Sequence, residues 1–247
     1  MSLFETKGVV IKTQDFKEND KLVWIFTEKI GKITAVAKGA KKNKSKLMSI
    51  TLPMCFGEYL LFRGKNLYTL SEGKINDSFQ GLLGNLEKLT YSSYLCELID
   101  ICLVDEESNR ELFRDFVTCL YLLNTDAVDY ELLVRCFELK LLKATGYALK
   151  LENCVMCSRK IGTSSYISFS SFGGVCDNCI KAGGMEISKG AYNALRFLSS
   201  LDMDKIYRIN IEPEMKKEIF KVTSYIFSSS YSKKPKSLEM LDYIKER

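Results

Sequence analysis

Histidine is absent from the 247-residue sequence, and with it the side chain that most often moves protons near neutral pH. Ser-His-Asp and Cys-His nucleophile systems are therefore excluded, and any metal site has to be built from cysteine or carboxylate. No glycine-rich phosphate loop of the Walker type is present, so the signature of an ATP-hydrolysing enzyme is missing too. No apolar run approaches the ~18 residues of a membrane-spanning helix. The opening MSLFETKGVVIK lacks the apolar core of a signal peptide. These absences predict a cytoplasmic protein that is not an enzyme and has no membrane partner.

What is present is the balance of an ordinary globular chain, 46% hydrophobic and 27% charged, with length for two or three small domains. The net charge of +5 is unevenly spread. Residues 1–80 hold 14 Lys and Arg against 8 Asp and Glu, residues 81–151 hold 7 against 12, and residues 152–247 hold 15 against 11. A polyanion would be drawn to the first segment and repelled by the second.

The first 75 residues read as β-structure. GVVIKT (8–13), KLVWIFT (21–27), KITAVAK (32–38), MCFGEYLLF (54–62) and LYTLSEGK (67–74) are short, β-branched or aromatic, and separated by polar or glycine-containing turns. Ile33, Ala35 and Ala37 alternate with Lys32, Thr34 and Lys38, the period of a half-buried strand. Five such strands suit a small closed barrel such as the OB-fold, although periodicity alone does not separate it from an SH3-like barrel. Helical spacing then takes over in 85–104, 109–123 and 130–149, with Gly146 near the end of the third segment; three helices packing on one another are the economical reading. Ser188 is a candidate N-cap, Pro213 opens a helix to about Phe227, and Ser237 caps the last. The predicted class is α+β and multidomain: an OB-fold at 1–77, a helical domain at 78–151 and 185–247, and between them a zinc-finger insert at 152–184.

That insert rests on cysteine spacing. Cys154-Val-Met-Cys157 and Cys176-Asp-Asn-Cys179 give C-x2-C-x18-C-x2-C, in which each two-residue gap lets one turn aim two thiolates at a single point. Two such turns complete a tetrahedron, the pattern of a zinc ribbon. Four protein thiolates close the coordination sphere, so one structural Zn2+ is expected, with no open position for a catalytic water. Disulfide pairing is the bland alternative and fits poorly with a chain lacking a signal peptide. Cys55, Cys96, Cys102, Cys119 and Cys136 lie in apolar contexts and read as small buried hydrophobes.

Lys38, Lys41, Lys42, Lys44 and Lys46 crowd one nine-residue stretch between the third and fourth strands. A charge run is commonly only a solvated turn. Here it sits in a positively charged barrel, whose loops hold nucleic acid in OB-folds, and lysine binds phosphate without reading bases. Arg63-Gly-Lys65 is a second, shorter basic turn, expected on the same side. Phe16, Trp24, Phe26, Tyr59, Phe62 and Tyr68 are the aromatics available for stacking on bases. Trp24 and Phe26 share one strand face and read as core.

These residues resemble the N-terminal barrel signature of the RecO family. It is carried by Gly8-Val-Val-Ile-Lys-Thr, Glu18-Asn-Asp-Lys-Leu-Val, Phe26-Thr27, Gly31-Lys32, Ala37-Lys-Gly-Ala-Lys-Lys and Lys44-Ser45. The order of the remainder is also similar: helical middle, four-cysteine insert, and helical tail with Lys236-Ser237. The resemblance implies a DNA repair and recombination mediator of the nucleoid. Such a protein binds single- and double-stranded DNA, anneals complementary strands, and helps load recombinase onto strands coated by single-strand-binding protein. It implies RecR and the acidic tail of single-strand-binding protein as partners, DNA contact for the lysines of 38–46, and zinc ligation for the four cysteines. The acidic Asp105-Glu-Glu107 stretch is a poor surface for such a tail. Two other classes compete: a thiol-disulfide enzyme using one CxxC, which lacks a thioredoxin-like βαβ context, and a zinc-ribbon OB-fold RNA-binding protein.

Overall fold

β-Branched and aromatic residues at alternate positions make the strands of the N-terminal barrel: β1 (Leu3–Phe16), β2 (Asp20–Thr27), β3 (Gly31–Ala37), β4 (Phe56–Arg63) and β5 (Tyr68–Asp77). The computed structural model describes residues 3–245. β1 is long enough to pair twice, along Gly8–Phe16 with β2 and along Leu3–Val9 with β4. A short parallel pairing of Ala35–Ala37 with Tyr68–Leu70 joins β3 to β5, closing a barrel of order β1-β2-β3-β5-β4. That is the five-stranded Greek-key OB-fold, not the SH3-like alternative.

The barrel interior is filled by Val10, Val23, Ile25, Ile33, Ala35, Ala37, Tyr59, Leu61 and Leu70. One end is plugged by α1 (Leu47–Ile50), a single turn the sequence reading had not predicted. Its Ile50 is buried against Gly57 and Gly73, whose missing Cβ atoms leave room for it. The Tyr59 hydroxyl, inside the barrel, donates to the carbonyls of Cys55 and Ile50.

A helical layer covers part of the barrel's outside: α2 (Gln80–Leu83), α3 (Leu86–Cys102), α4 (Arg110–Asn124) and α8 (Ser237–Lys245). Asn85 and Asn109 cap α3 and α4 by accepting from the backbone N–H groups of Lys88 and Leu112. Phe26 sits edge-on to Phe113 and Phe116 of α4. α3 is buried on most sides, including Lys88, Thr90 and Ser92, while Leu86 at its start is 56% exposed, so a single apolar stripe does not describe it. Ser237 is the first residue of α8, and its backbone N–H and hydroxyl both donate to Glu97 of α3 rather than capping α8.

The segment after α3 lies along β3. The Glu106 N–H donates to the Lys32 carbonyl, Lys32 Nζ donates to the Asp100 carbonyl at 2.7 Å, and Asp105 pairs with Lys32 at 3.3 Å. Gly31, at φ +88°, passes so close that a Cβ there would stand 2.2 Å from the Glu107 carbonyl oxygen. Gly31→Ala therefore combines backbone strain with a clash against main chain. It is expected to destabilise the protein by at least ~2 kcal/mol. Chemical unfolding followed by barrel fluorescence checks this, with Gly162→Ala, which meets nothing within 4 Å, as a near-neutral control.

Met1–Asp126 with Pro235–Arg247 form one compact unit, and Ala127–Lys234 form a second. In the second, α5 (Tyr130–Ala144) packs with α6 (Lys189–Ser200) and α7 (Pro213–Ser230). The expected trio of consecutive helices is thus divided: α3 and α4 belong to the first unit and α5 to the second. α5 stops at Ala144, earlier than its apolar pattern suggested. Gly146 adopts φ +87° and a Schellman closure forms, with Gly146 N–H on the Lys143 carbonyl and Tyr147 N–H on the Leu142 carbonyl. The core of this unit holds a fully buried ion pair, Arg135 to Glu138 at 3.0 Å. Thr223 of α7 donates to the same carboxylate, and Phe220 lies under the guanidinium. The four-cysteine segment hangs on a small sheet of β6 (Tyr166–Ser168), β7 (Gly173–Gly174) and β8 (Gly184–Glu186). Ser188 caps α6 through the Ala191 N–H. A 3-10 helix spans Met203–Arg208, and Pro213 opens α7 as expected. Among the described residues no helix is long and apolar enough to cross a membrane.

Candidate metal centre and nucleic-acid interface

The two CxxC turns are brought together beside the small sheet. The Cys154 N–H bonds the Arg159 carbonyl, the Val155 N–H bonds the Gly174 carbonyl, and the Cys179 N–H bonds the Cys176 carbonyl. The four sulfur atoms all lie within 4.8 Å of one another, and Cys157 Sγ is 3.8 Å from Cys176 Sγ. That separation matches the edge of a thiolate tetrahedron with metal–sulfur bonds of ~2.3 Å, and no cysteine among the described residues is in a disulfide. Burial pushes the Cys154 thiol up, but backbone N–H groups of Cys176, Met156 and Cys157 outweigh it and bring the thiol down to about 6. The neighbouring sulfurs of Cys176 and Cys157 raise Cys179 to about 12. Four thiolates this close repel one another unless a cation sits between them, so the donor set fits a thiophilic metal ion. By contrast, burial pushes the Cys55 thiol up to about 11 and the Cys96 thiol up to about 12, and Cys102, Cys119 and Cys136 are buried as well.

All five lysines of 38–46 are exposed. They ride on a chain that is ordered turn by turn: Lys42 N–H to the Gly39 carbonyl, Ser45 N–H to the Lys42 carbonyl and Met48 N–H to the Ser45 carbonyl. Ala40 is buried in the barrel core between them, and Gly39, at φ +66°, donates to Asp20. The Lys41 N–H reaches the Asn19 carbonyl in the β1–β2 turn. That turn adds a residue the sequence reading missed, Lys17. With Glu18, Asp20, Lys38 and Lys42 it lines a depression of about 420 Å³. In any antiparallel β1-β2-β3 meander the β1–β2 turn abuts the end of β3, which was the available signal.

Ion pairing distinguishes the basic residues. Lys41 Nζ is 2.6 Å from Asp15 and holds that carboxyl below its usual range. Among the described residues no ion pair is found for Lys38, Lys42, Lys44, Lys46 or Lys65. Arg63 is bound to Glu106 at 2.6 Å. The register also sets Arg63 and Lys65 apart from the lysine loop. Ala37 pairs with Lys21 beside the β1–β2 turn, whereas Arg63 pairs with Tyr68, which enters β5 opposite Ala35 and runs parallel to β3. The Arg63-Gly-Lys65 turn therefore lies at the other end of the barrel, not on the same side as expected. The acidic stretch is engaged there, Asp105 by Lys32 and Glu106 by Arg63.

The candidate aromatics are sorted by face. Tyr59 and Tyr68 point into the barrel and Phe26 is buried beneath α4. Trp24, read as core from sequence, lies half-buried on the outside of the barrel with Lys12 Nζ 4.7 Å from its ring centre.

Comparison with known proteins agrees with this architecture. The family descriptions "Recombination protein O N terminal" and "Recombination protein O C terminal" match residues 1–79 and 83–239. A DNA repair protein RecO of Clostridium perfringens is 65% identical over 246 residues, covering all of both chains. Its counterpart in Clostridium novyi is 54% identical over 99% of this chain and 96% of its own. That of Acetivibrio thermocellus is 32% identical over 99% of this chain and 97% of its own. The chain belongs to the RecO family of DNA repair proteins.

Proposed function

We propose that this protein is a DNA-repair mediator that binds single- and double-stranded DNA, anneals complementary strands and helps load recombinase onto strands coated by single-strand-binding protein. The observation that carries the reading is the lysine loop, whose lysines are exposed and, Lys41 apart, without an ion pair among the described residues, and which Ala40 and Ile50 hold against one end of an OB barrel. Annealing requires a surface that lowers the repulsion between two phosphate backbones and breaks no covalent bond. Lysines held at fixed positions lower it without reading sequence. Lys38, Lys42, Lys44 and Lys46 are the principal phosphate ligands. Lys41 joins them when a phosphate displaces Asp15, and Arg63 and Lys65 form a separate basic patch on the barrel's other end. RecR and the acidic tail of single-strand-binding protein are the protein partners, and the site of action is the nucleoid.

Cys154, Cys157, Cys176 and Cys179 hold one zinc ion. Bound there, the metal supplies cross-linking of the two CxxC turns, and a sphere filled by four thiolates offers no position for an activated water.

An annealing assay tests the reading: complementary DNA strands, one coated with single-strand-binding protein, are mixed with and without this protein. Accelerated duplex formation is expected, and no acceleration at any concentration would refute the reading. ATP hydrolysis is expected to stay at background through successive purification steps, since the chain has neither phosphate loop nor histidine. Turnover that copurifies with the chain would contradict a purely binding role.

A further inference from the structure

We infer that Trp24 is the platform on which this barrel stacks a base of single-stranded DNA, with Lys12 as the phosphate ligand beside it. The inference rests on the proposed DNA-binding reading and deepens it by assigning a face and a stacking residue.

The face follows from strand register. A bulge in β1 at Ile11 separates the Val10–Ile25 pair from the Lys12–Trp24 pair. Val9, Val10 and Ile11 are all buried, and the irregularity brings Lys12 out onto the exposed side of the sheet. Trp24 in turn pairs with Thr34, so Lys12, Trp24 and Thr34 form one rung across three strands. Gln14, Leu22 and Val36 form the next, ~7 Å along the strands. Lys38 continues the outward side of β3 beyond Val36 and leads into the lysine loop. Farther up the same strands Phe26 and Lys32 are buried under the helical layer, whereas beyond the second rung the face runs on to Phe16 and Asp20, paired and half-buried at the β1–β2 turn.

The chemistry of the face suits a polyanion with flat apolar bases. Its centre is an indole beside Leu22 and Val36, all half-buried, and lysines flank it at both ends. The nearby carboxylates are largely occupied: Asp15 by Lys41, Asp20 by the Gly39 N–H, and Asp100 by Lys12 at 3.3 Å and by Lys32 at 3.8 Å; Glu18, exposed in the turn, has no ion pair among the described residues. Asp100 holds Lys12 over the indole in the free protein. A phosphate can take that ammonium from the carboxylate, and the vacated ring face is where a base lies. Stacking platforms of this kind, tracked by a basic groove, are how OB barrels hold single strands without sequence preference.

Trp24 is the only tryptophan in the chain, so its emission reports on this face alone. Titration of the intact protein with oligothymidylate is expected to quench Trp24 and to shield it from acrylamide. Trp24→Ala should weaken oligothymidylate binding by about five- to a hundredfold, and Trp24→Phe should restore most of it. Lys12→Ala should flatten the salt slope by about 0.7 and, leaving Trp24 in place, tests the face even if Trp24→Ala fails to fold. Salt-sensitive binding that responds to loss of loop lysines while Trp24 emission and the Lys12→Ala slope stay unchanged would overturn the inference and leave the DNA-binding reading standing. Absence of any oligothymidylate binding would overturn both. Quenching by oligoglutamate but not by oligothymidylate would assign the face to an acidic peptide and also overturn the inference.

Discussion

Replacing Cys176 by Ser is expected to remove the metal and loosen residues 152–184 while the barrel stays folded. Cys176 is buried, its backbone N–H donates to Cys154 Sγ at 3.3 Å, and its own sulfur is 3.8 Å from that of Cys157. The sheet beside the site consists of strands of two and three residues, too few main-chain bonds to order a segment of this length. Cross-linking by a metal ion held there would therefore supply most of its stability, as in isolated zinc-finger peptides, where metal-binding free energy is folding free energy of ~10–16 kcal/mol. Serine at position 176 leaves three thiolates and a poor oxygen donor. Metal content should drop from about one zinc per chain to near zero, and amide exchange across the insert should accelerate by about a hundredfold or more. Barrel amides should exchange as before, because that core is built from other residues. Full metal content in the Ser variant, or a disulfide among the four cysteines in freshly purified reduced protein, would contradict the assignment.

The parts of the molecule legible in its sequence are those fixed by local chemistry. The cysteine turns need only a two-residue gap to aim two sulfurs together, and the strands need only alternation. Ser188 and Pro213 mark their helix starts through the backbone groups next to them. What was not legible depends on partners far along the chain. Closure of the barrel rests on the parallel meeting of Ala35 with Tyr68, and the plug rests on Ile50 finding Gly57 and Gly73. α8 is tied to the first unit through Ser237 and Glu97, 140 residues apart. α3 reads poorly as an amphipathic helix because it is surrounded, so Lys88 and Ser92 are buried beside its leucines. The charge of the lysine loop was plain, but the ion pairs that occupy Lys41 and Arg63 come from Asp15 and Glu106 and could not be read from spacing. Trp24 was misplaced for a related reason. It does share a face with Phe26, but that face is the outside of the barrel, and α4 covers only the Phe26 end.

The lysine loop carries the central claim, and its second large expected effect is electrostatic. Lys42, Lys44 and Lys46 are exposed and have no ion pair among the described residues, so changing all three to Ala removes charge without stranding a partner. Each lysine at a phosphate of single-stranded DNA releases condensed counterions, contributing about −0.7 to the slope of log affinity against log salt. The triple variant should therefore show a slope flatter by about two units, so that between about 50 and 200 mM salt the unaltered protein loses about sixteenfold more affinity than the variant. The loss should be similar for all base sequences, since lysine at a phosphate reads none. Stability should change little, because Lys46 stands at the N-cap of α1 without a side-chain cap bond and exposed side chains that neither cap nor pack usually contribute within ~0.5 kcal/mol. Zinc content should be unaltered.

The measurement that tests the account most directly is the salt dependence of single-stranded DNA affinity for the unaltered protein and for the Lys42→Ala, Lys44→Ala, Lys46→Ala variant. A slope flatter by about two units is expected in a folded, zinc-bearing variant; identical affinities and identical slopes would show that the loop is only a solvated turn.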